Sequence, residues 1–172
     1  MDKYQERYLA HQKRKQAVLA EIMSQRHSER VFLSDPVSES DLKIISYAAE
    51  SAPSSCDRKA VNGLLVTDRH LKNLLSGLLV GGVGWIHRAP LIVTLFADMD
   101  AYKSPDERIY MPYLDAGHLS QNIQLAVVSC GLSSCYCNPN CHYTNVLNKH
   151  FAPDSYGDPL FVGAIAIGKK HA

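Results

Sequence analysis

The sequence predicts a single α+β domain over residues 1–172, and three observations carry that prediction. A chain of 172 residues suits one domain and can bury a core without disulfides or metals. Apolar stripes at helical spacing alternate with short β-branched runs. No internal repeat, low-complexity segment or linker interrupts the chain.

The elements follow in order. Lys3 to Gln25 holds no Gly or Pro, and Leu19, Ile22 and Met23 give a helical stripe. Ser38 is a candidate N-cap, with Glu39 and Asp41 favourable in the first turn of a second helix. Leu42, Ile45, Ala48, Ala49 and Ala52 form its apolar face, and Pro53 ends it. Asn62 to Thr67 reads as a short strand. Arg69 to Leu79 reads as a helix, loosened beyond its end by Gly81, Gly82 and Gly84. Pro90 opens Leu-Ile-Val-Thr-Leu-Phe-Ala, the pattern of a fully buried strand. Met111 to Cys130 gives the strongest helix, with Gly131 as its C′ residue. Gly117 inside it predicts close approach of another backbone, because an interior helical glycine costs about 1 kcal/mol relative to Ala. Ser133 to Cys137 is extended, Asn145 to Phe151 is a short helix, and Leu160 to Ile167 is a final strand ending at Gly168.

Composition excludes several classes of function. Hydrophobic residues make up 46%, charged residues 20%, and the formal net charge is +1, so no global basic field serves nucleic acid. Local clusters at Lys13-Arg14-Lys15 and Lys169-Lys170 are solvated faces or anion sites. The charged N-terminus lacks the apolar core of a secretory signal. No run approaches the roughly 20 apolar residues of a membrane helix. The 5 Cys, an odd number, predict free thiols in a reducing cytoplasm.

Three constellations carry chemistry. Arg26-His27-Ser28-Glu29-Arg30 places two guanidiniums four residues apart, on one face if the first helix continues, with a hydroxyl and an imidazole between them. Such a set suits a phosphate dianion. Ala52-Pro53-Ser54-Ser55-Cys56-Asp57 is a hydroxyl-rich turn between a helix and a strand, open to polar contacts with a ligand or to local hydrogen bonds. The helix carrying Asp115, Gly117, Gln121 and Asn122 leads to Gly131-Leu132-Ser133-Ser134. Separately, Cys135, Cys137, Cys141 and His142 lie within eight residues. They read as a buried strand face, a metal site or a redox-active thiol pair.

Taken in order, these pieces resemble the nitroreductase family from about Ile22 to Lys170. The matching motifs are Arg26 to Arg30 followed by Phe32, Pro36-Val37-Ser38, Ala52-Pro53-Ser54-Ser55, Ala89-Pro90, the Asp115…Asn122 helix with its Gly131–Ser134 turn, and the closing Gly163–Gly168 strand. The resemblance implies a central, mostly antiparallel sheet flanked by helices in an intertwined homodimer, with FMN at the dimer interface. It implies that Arg26, Ser28 and Arg30 hold the flavin phosphate and ribityl chain, with His27 where a second Arg is common. It implies that Pro53, Ser54, Ser55 and Asp57 line the flavin from the partner, that Asn122 and Ser134 belong to the site, and that Lys169 or Lys170 adds charge at the phosphate. The implied activity is hydride transfer from NAD(P)H through FMN to an electron-poor acceptor such as a nitroaromatic or quinone. No protein nucleophile is expected, and His118 and His142 are candidates for proton delivery only.

The sequence departs from the family at three places. The Asn-x-Gln-Pro-Trp stretch common after Pro-Ser-Ser is Cys56-Asp57-Arg58-Lys59-Ala60 here. Asp57 can accept a hydrogen bond from the flavin N3–H but cannot donate one as Asn can. Little sequence lies between Asp98 and Met111, which predicts a minimally covered pocket. The Cys135–His142 segment is the third, and two other functions stay open: a flavin-binding protein without reductase activity, and a metal-binding module.

Overall fold

A computed structural model describes residues 2–171. Five α-helices flank one antiparallel five-stranded sheet: α1 Lys3–Gln25, α2 Glu39–Glu50, β1 Val61–Val66, α3 Arg69–Leu78, β2 Leu79–Val80, β3 Leu91–Asp98, α4 Pro105–Ser129, β4 Ser133–Pro139, α5 Thr144–Phe151 and β5 Pro159–Gly168. The strand order is β1-β3-β5-β4-β2, so the two most apolar strands lie inside the sheet. This is the α+β arrangement expected from the sequence.

Alternation along β3 divides the core between two faces. Leu91, Val93, Leu95 and Ala97 pack with Ile45 of α2 and with Ala116, Leu119, Ile123 and Val127 of α4. Ile92 and Phe96 face Leu75 and Leu78 of α3 and Leu147 and Phe151 of α5. The layers are therefore helices, sheet, helices. A register shift in the β3–β5 pairing between Leu95 and Phe96 accommodates one residue of β5 without a partner. Beside it, Tyr136 of β4 lies across Gly163, and its hydroxyl donates to the Val162 carbonyl at 2.6 Å. A Cβ on Gly163 would collide with the Tyr136 ring and hydroxyl.

Several boundaries differ from expectation for identifiable reasons. Helix α4 begins at Pro105, not Met111. Ser104 caps it by accepting from Glu107 N, Pro105 occupies the first turn, and Asp106 and Glu107 favour the positive helix end. Pro112, which suggests a helix start nearby, is instead buried in the interior, where it supplies no donor to the Arg108 carbonyl and its ring crowds that group. Leu79 leaves α3 and pairs with Pro139 in the two-residue strand β2. Gly131 lies in the left-handed region at φ 69°, as the C′ position requires. Among the described residues, nothing outside the neighbouring turns of α4 lies within 4 Å of a Cβ built on Gly117, so no close approach to it occurs among them.

Helix α1 is set apart from the core. Asp2 caps it, yet none of its 23 residues is buried. Tyr4, Tyr8, Leu9, Val18, Leu19 and Met23 are exposed along it. Among the described residues, no helix is long and apolar enough to cross a membrane.

Candidate functional site

The segment after α1 is extended, which changes how its side chains are arrayed. Arg26 caps α1 in a β conformation, and Ser28 forms a parallel bridge with Ser134. Glu29 N donates to the Ser134 carbonyl at 3.0 Å, and Leu33 N donates to the Lys169 carbonyl at 2.9 Å. Phe32 bridges Lys170. In extended backbone the side chains alternate, so Arg26, Ser28 and Arg30 share one face. The first helix ends at Gln25, as its sequence pattern predicts, so the shared face arises from extended alternation and not from helical spacing.

The opposite face belongs to His27 and Glu29. His27 Nε2 lies 3.5 Å from a Glu29 carboxylate oxygen, and His27 Nδ1 is 2.9 Å from the Gln25 carbonyl. The other Glu29 oxygen accepts from the backbone N–H groups of Arg30 and Val31. The Val31 bond is the largest influence holding the Glu29 carboxyl below its ordinary range. Glu29 is thereby turned away from the two guanidiniums, and His27 does not join them.

Arg26, Ser28, Arg30, Ser134, Lys169 and Lys170 are therefore gathered at the ends of β4 and β5. Among the described residues, no carboxylate lies within ion-pair distance of any of the four cations. The Ser134 hydroxyl is buried and has no hydrogen-bond partner. An unpaired buried hydroxyl is costly and calls for a ligand atom or water. Cys135 follows Ser134 on β4 and is buried, and its thiol donates to the Tyr136 carbonyl at 3.6 Å. The neighbouring Cys137 thiol draws Cys135 below its usual range, against the opposing effect of burial, with Arg30, Ser28 and Arg26 acting the same way. Cys135, with burial, pushes Cys137 upward.

The second cluster stands elsewhere. Ser55 donates through N at 2.8 Å and Oγ at 3.0 Å to the Asp115 carboxylate on α4. Ser54 Oγ accepts from Lys59 N. Asp57 is exposed and lies 3.1 Å from the Lys59 ammonium, and Pro53 is exposed. Cys56, Asp57 and Lys59 all have φ near +50°, a region that non-glycine residues rarely adopt. Asn122 donates to the Ala48 carbonyl and ties α4 to α2.

Two rulers separate the clusters. Val61 pairs with Ala97, which pairs with Leu160 at the start of β5, whereas Ser133 pairs with Gly168 at its end. Eight strand steps amount to roughly 26 Å. Along α4, Asp115 precedes Ser129 by about 20 Å at the helical rise. One copy of the chain does not bring Ser54–Asp57 to Arg26, Arg30 and Ser134.

The thiol-rich segment is split between the core and the surface. Among the described residues, no group of three His, Cys, Asp or Glu side chains is placed to hold a metal. Strand β4 turns Cys135 and Cys137 into the core, while Cys141 and His142 are exposed beyond it. His118 is also exposed, on α4. Sequence reasoning missed two features. One is Cys135 beneath the arginines, which the i, i+2 alternation from Cys137 could have indicated. The other is the anchoring of the Ser55 turn to Asp115, a contact across 60 residues that no local spacing reveals.

This antiparallel sheet between helical layers, with four cationic residues near its strand ends, defines an α+β class. The nitroreductase family model matches residues 77–169, and the chain belongs to that family. A protein of Bacillus subtilis named FMN reductase (NAD(P)H) is 27% identical over 111 residues, covering 64% of this chain and 44% of the relative. The chain thus spans less than half of that relative's length. The solved structure of a nitroreductase family protein from Streptococcus pneumoniae superposes with a TM-score of 0.78 at 16% identity, covering 89% of this chain and 90% of that one. An FMN-dependent nitroreductase from Clostridium difficile gives 0.73 at 22% identity, covering 88% and 87%.

Proposed function

We propose that the protein is an FMN-dependent oxidoreductase that uses NAD(P)H and works as a homodimer with flavin sites shared between subunits. The observation that carries this reading is the cradle itself: four cations with no ion-pair partner among the described residues, near a buried hydroxyl that likewise has none there. The donor set fits FMN. Arg26, Arg30 and one or both of Lys169 and Lys170 neutralise the phosphate dianion, Ser28 adds a hydroxyl, and Ser134 meets a polar atom of the flavin. The names of the Bacillus subtilis and Clostridium difficile proteins support the same cofactor.

The shared site follows from the separation of the two clusters. The Ser54–Asp57 turn reaches a flavin held by Arg26 and Arg30 only if it comes from a second copy. The exposed face of α1 supports this arrangement, because an isolated helix of this kind gains most of its stability from packing. Ile109, Tyr110, Tyr113 and Leu114 of α4 are further exposed apolar residues for such an interface. Bound FMN supplies the hydride chemistry. The chain's residues bind it, orient it and exclude water. The acceptor is an electron-poor small molecule of the nitroaromatic or quinone class, and the protein works in the cytoplasm.

The test is spectroscopic. The purified dimer should show flavin absorbance that bleaches with NAD(P)H under anaerobic conditions. Arg26→Ala with Arg30→Ala should leave a folded dimer with little bound flavin. Full flavin occupancy in that double variant overturns the phosphate assignment, and flavin that never bleaches overturns the reductase reading.

A further inference from the structure

The turn assigned to the flavin site is held by three positions of α4 spaced one turn apart. Glu107, Met111 and Asp115 follow the i, i+4, i+8 pattern and lie on one stripe of the helix. Arg58 forms a forked pair with Glu107, at 2.9 Å and 3.3 Å. Ser55 Oγ lies 3.0 Å from the Met111 sulfur. Asp115 takes both Ser55 donors. Its second oxygen accepts from the Tyr102 hydroxyl at 3.0 Å.

Asp115 is only 2% exposed, and every group bonded to it is a donor. Tyr102 is buried as well, and burial followed by the bond to Asp115 keeps its phenol protonated far above the usual range. The stripe grips a loop whose residues Cys56, Asp57 and Lys59 are in the left-handed region. Such conformations persist only where surrounding contacts enforce them.

We propose that Asp115, supported by Tyr102, is a positioning residue that fixes the Ser54–Asp57 turn in the conformation presented to the flavin of the neighbouring subunit. This rests on the shared-site reading above. Asp115 is bonded to Ser55 and Tyr102. It acts through Ser55, and the α4 stripe converts helix position into turn conformation.

The test uses full-length Asp115→Asn, with Tyr102→Phe as a milder companion. Asn preserves the shape, but its amide cannot accept from all three donors. Amide exchange should accelerate on the order of tenfold across residues 53–59 in Asp115→Asn, while α2 and α4 exchange as in the parent. FMN affinity should fall on the order of tenfold, and the bound flavin's visible band should change shape. Tyr102→Phe should move each readout in the same direction by less. Unchanged exchange in the turn overturns the proposal. A loosened turn with unchanged FMN affinity and spectrum overturns its link to the flavin. Wild-type protein that binds no FMN overturns the site reading itself, and this proposal with it. If Asp115→Asn fails to fold, Tyr102→Phe decides by the same readouts.

Discussion

At the scale of single residues, the site turns on which groups have partners. Arg26 and Arg30 share a face because the chain is extended there, and Glu29 is occupied with backbone N–H groups and His27. That leaves the cations free for an anion. Ser134 carries the complementary signal, a buried hydroxyl with no partner. Ser134→Ala removes an unsatisfied group, so the flavin-free protein should keep its melting temperature or gain slightly. FMN affinity should fall by about five- to thirty-fold if the hydroxyl meets the flavin. Calorimetric melting and fluorescence titration check the two halves. A loss of stability without loss of affinity would make Ser134 structural.

Much of this chemistry was legible from residue identity. Arg26, Ser28, Arg30, Ser134, Lys169 and Lys170 were nominated, and the fold brings them together. The resemblance puts His27 where a second Arg is common, and in the structure its ring lies against Glu29 and the Gln25 carbonyl. The period of the backbone decides sidedness, and a short Arg-His-Ser-Glu-Arg segment holds too few apolar residues to reveal that period.

At the scale of elements, alternation and capping account for most of the architecture. The β-branched run of β3 and the small-residue run of β5 marked the central strands, and Gly131 marked the end of α4. The start of α4 was also written in Ser104-Pro105-Asp106-Glu107, but the interior Pro112 masked it. Strand β2 was illegible because two residues carry no period, and its pairing with β4 is purely tertiary.

The β4–β5 seam offers a prediction at this scale. Tyr136 occupies the space over Gly163, and its hydroxyl binds the adjacent carbonyl. Gly163→Ala must displace the ring and break that bond. It should lower stability by about 2–4 kcal/mol, combining overpacking with a lost buried hydrogen bond. A urea midpoint that falls at unchanged slope would show this, and an unchanged midpoint would contradict the packing described.

At the scale of the whole molecule, the proposed shared site follows from the distance between two clusters of one chain. The cradle lies at the end of β5, the strained turn near its start, and α4 spans the distance between them. The sequence could name both halves through family resemblance, but only the strand register reveals their separation. The exposed stripe of α1 and the open surface at Gly117 are the surfaces the proposed dimer would cover. A two-fold dimer gives each cradle a turn from its neighbour.

Subunit complementation tests that claim most directly. Arg26→Ala with Arg30→Ala destroys the cradle, and Ser54→Ala with Ser55→Ala impairs the turn, so each homodimer should bind FMN poorly. Co-expression at equal levels should give heterodimers in which one site joins the two mutated halves and the other joins the two intact halves. The mixture should then recover about one quarter of wild-type flavin occupancy. Recovery no greater than the average of the two separate variants would contradict a site shared between subunits.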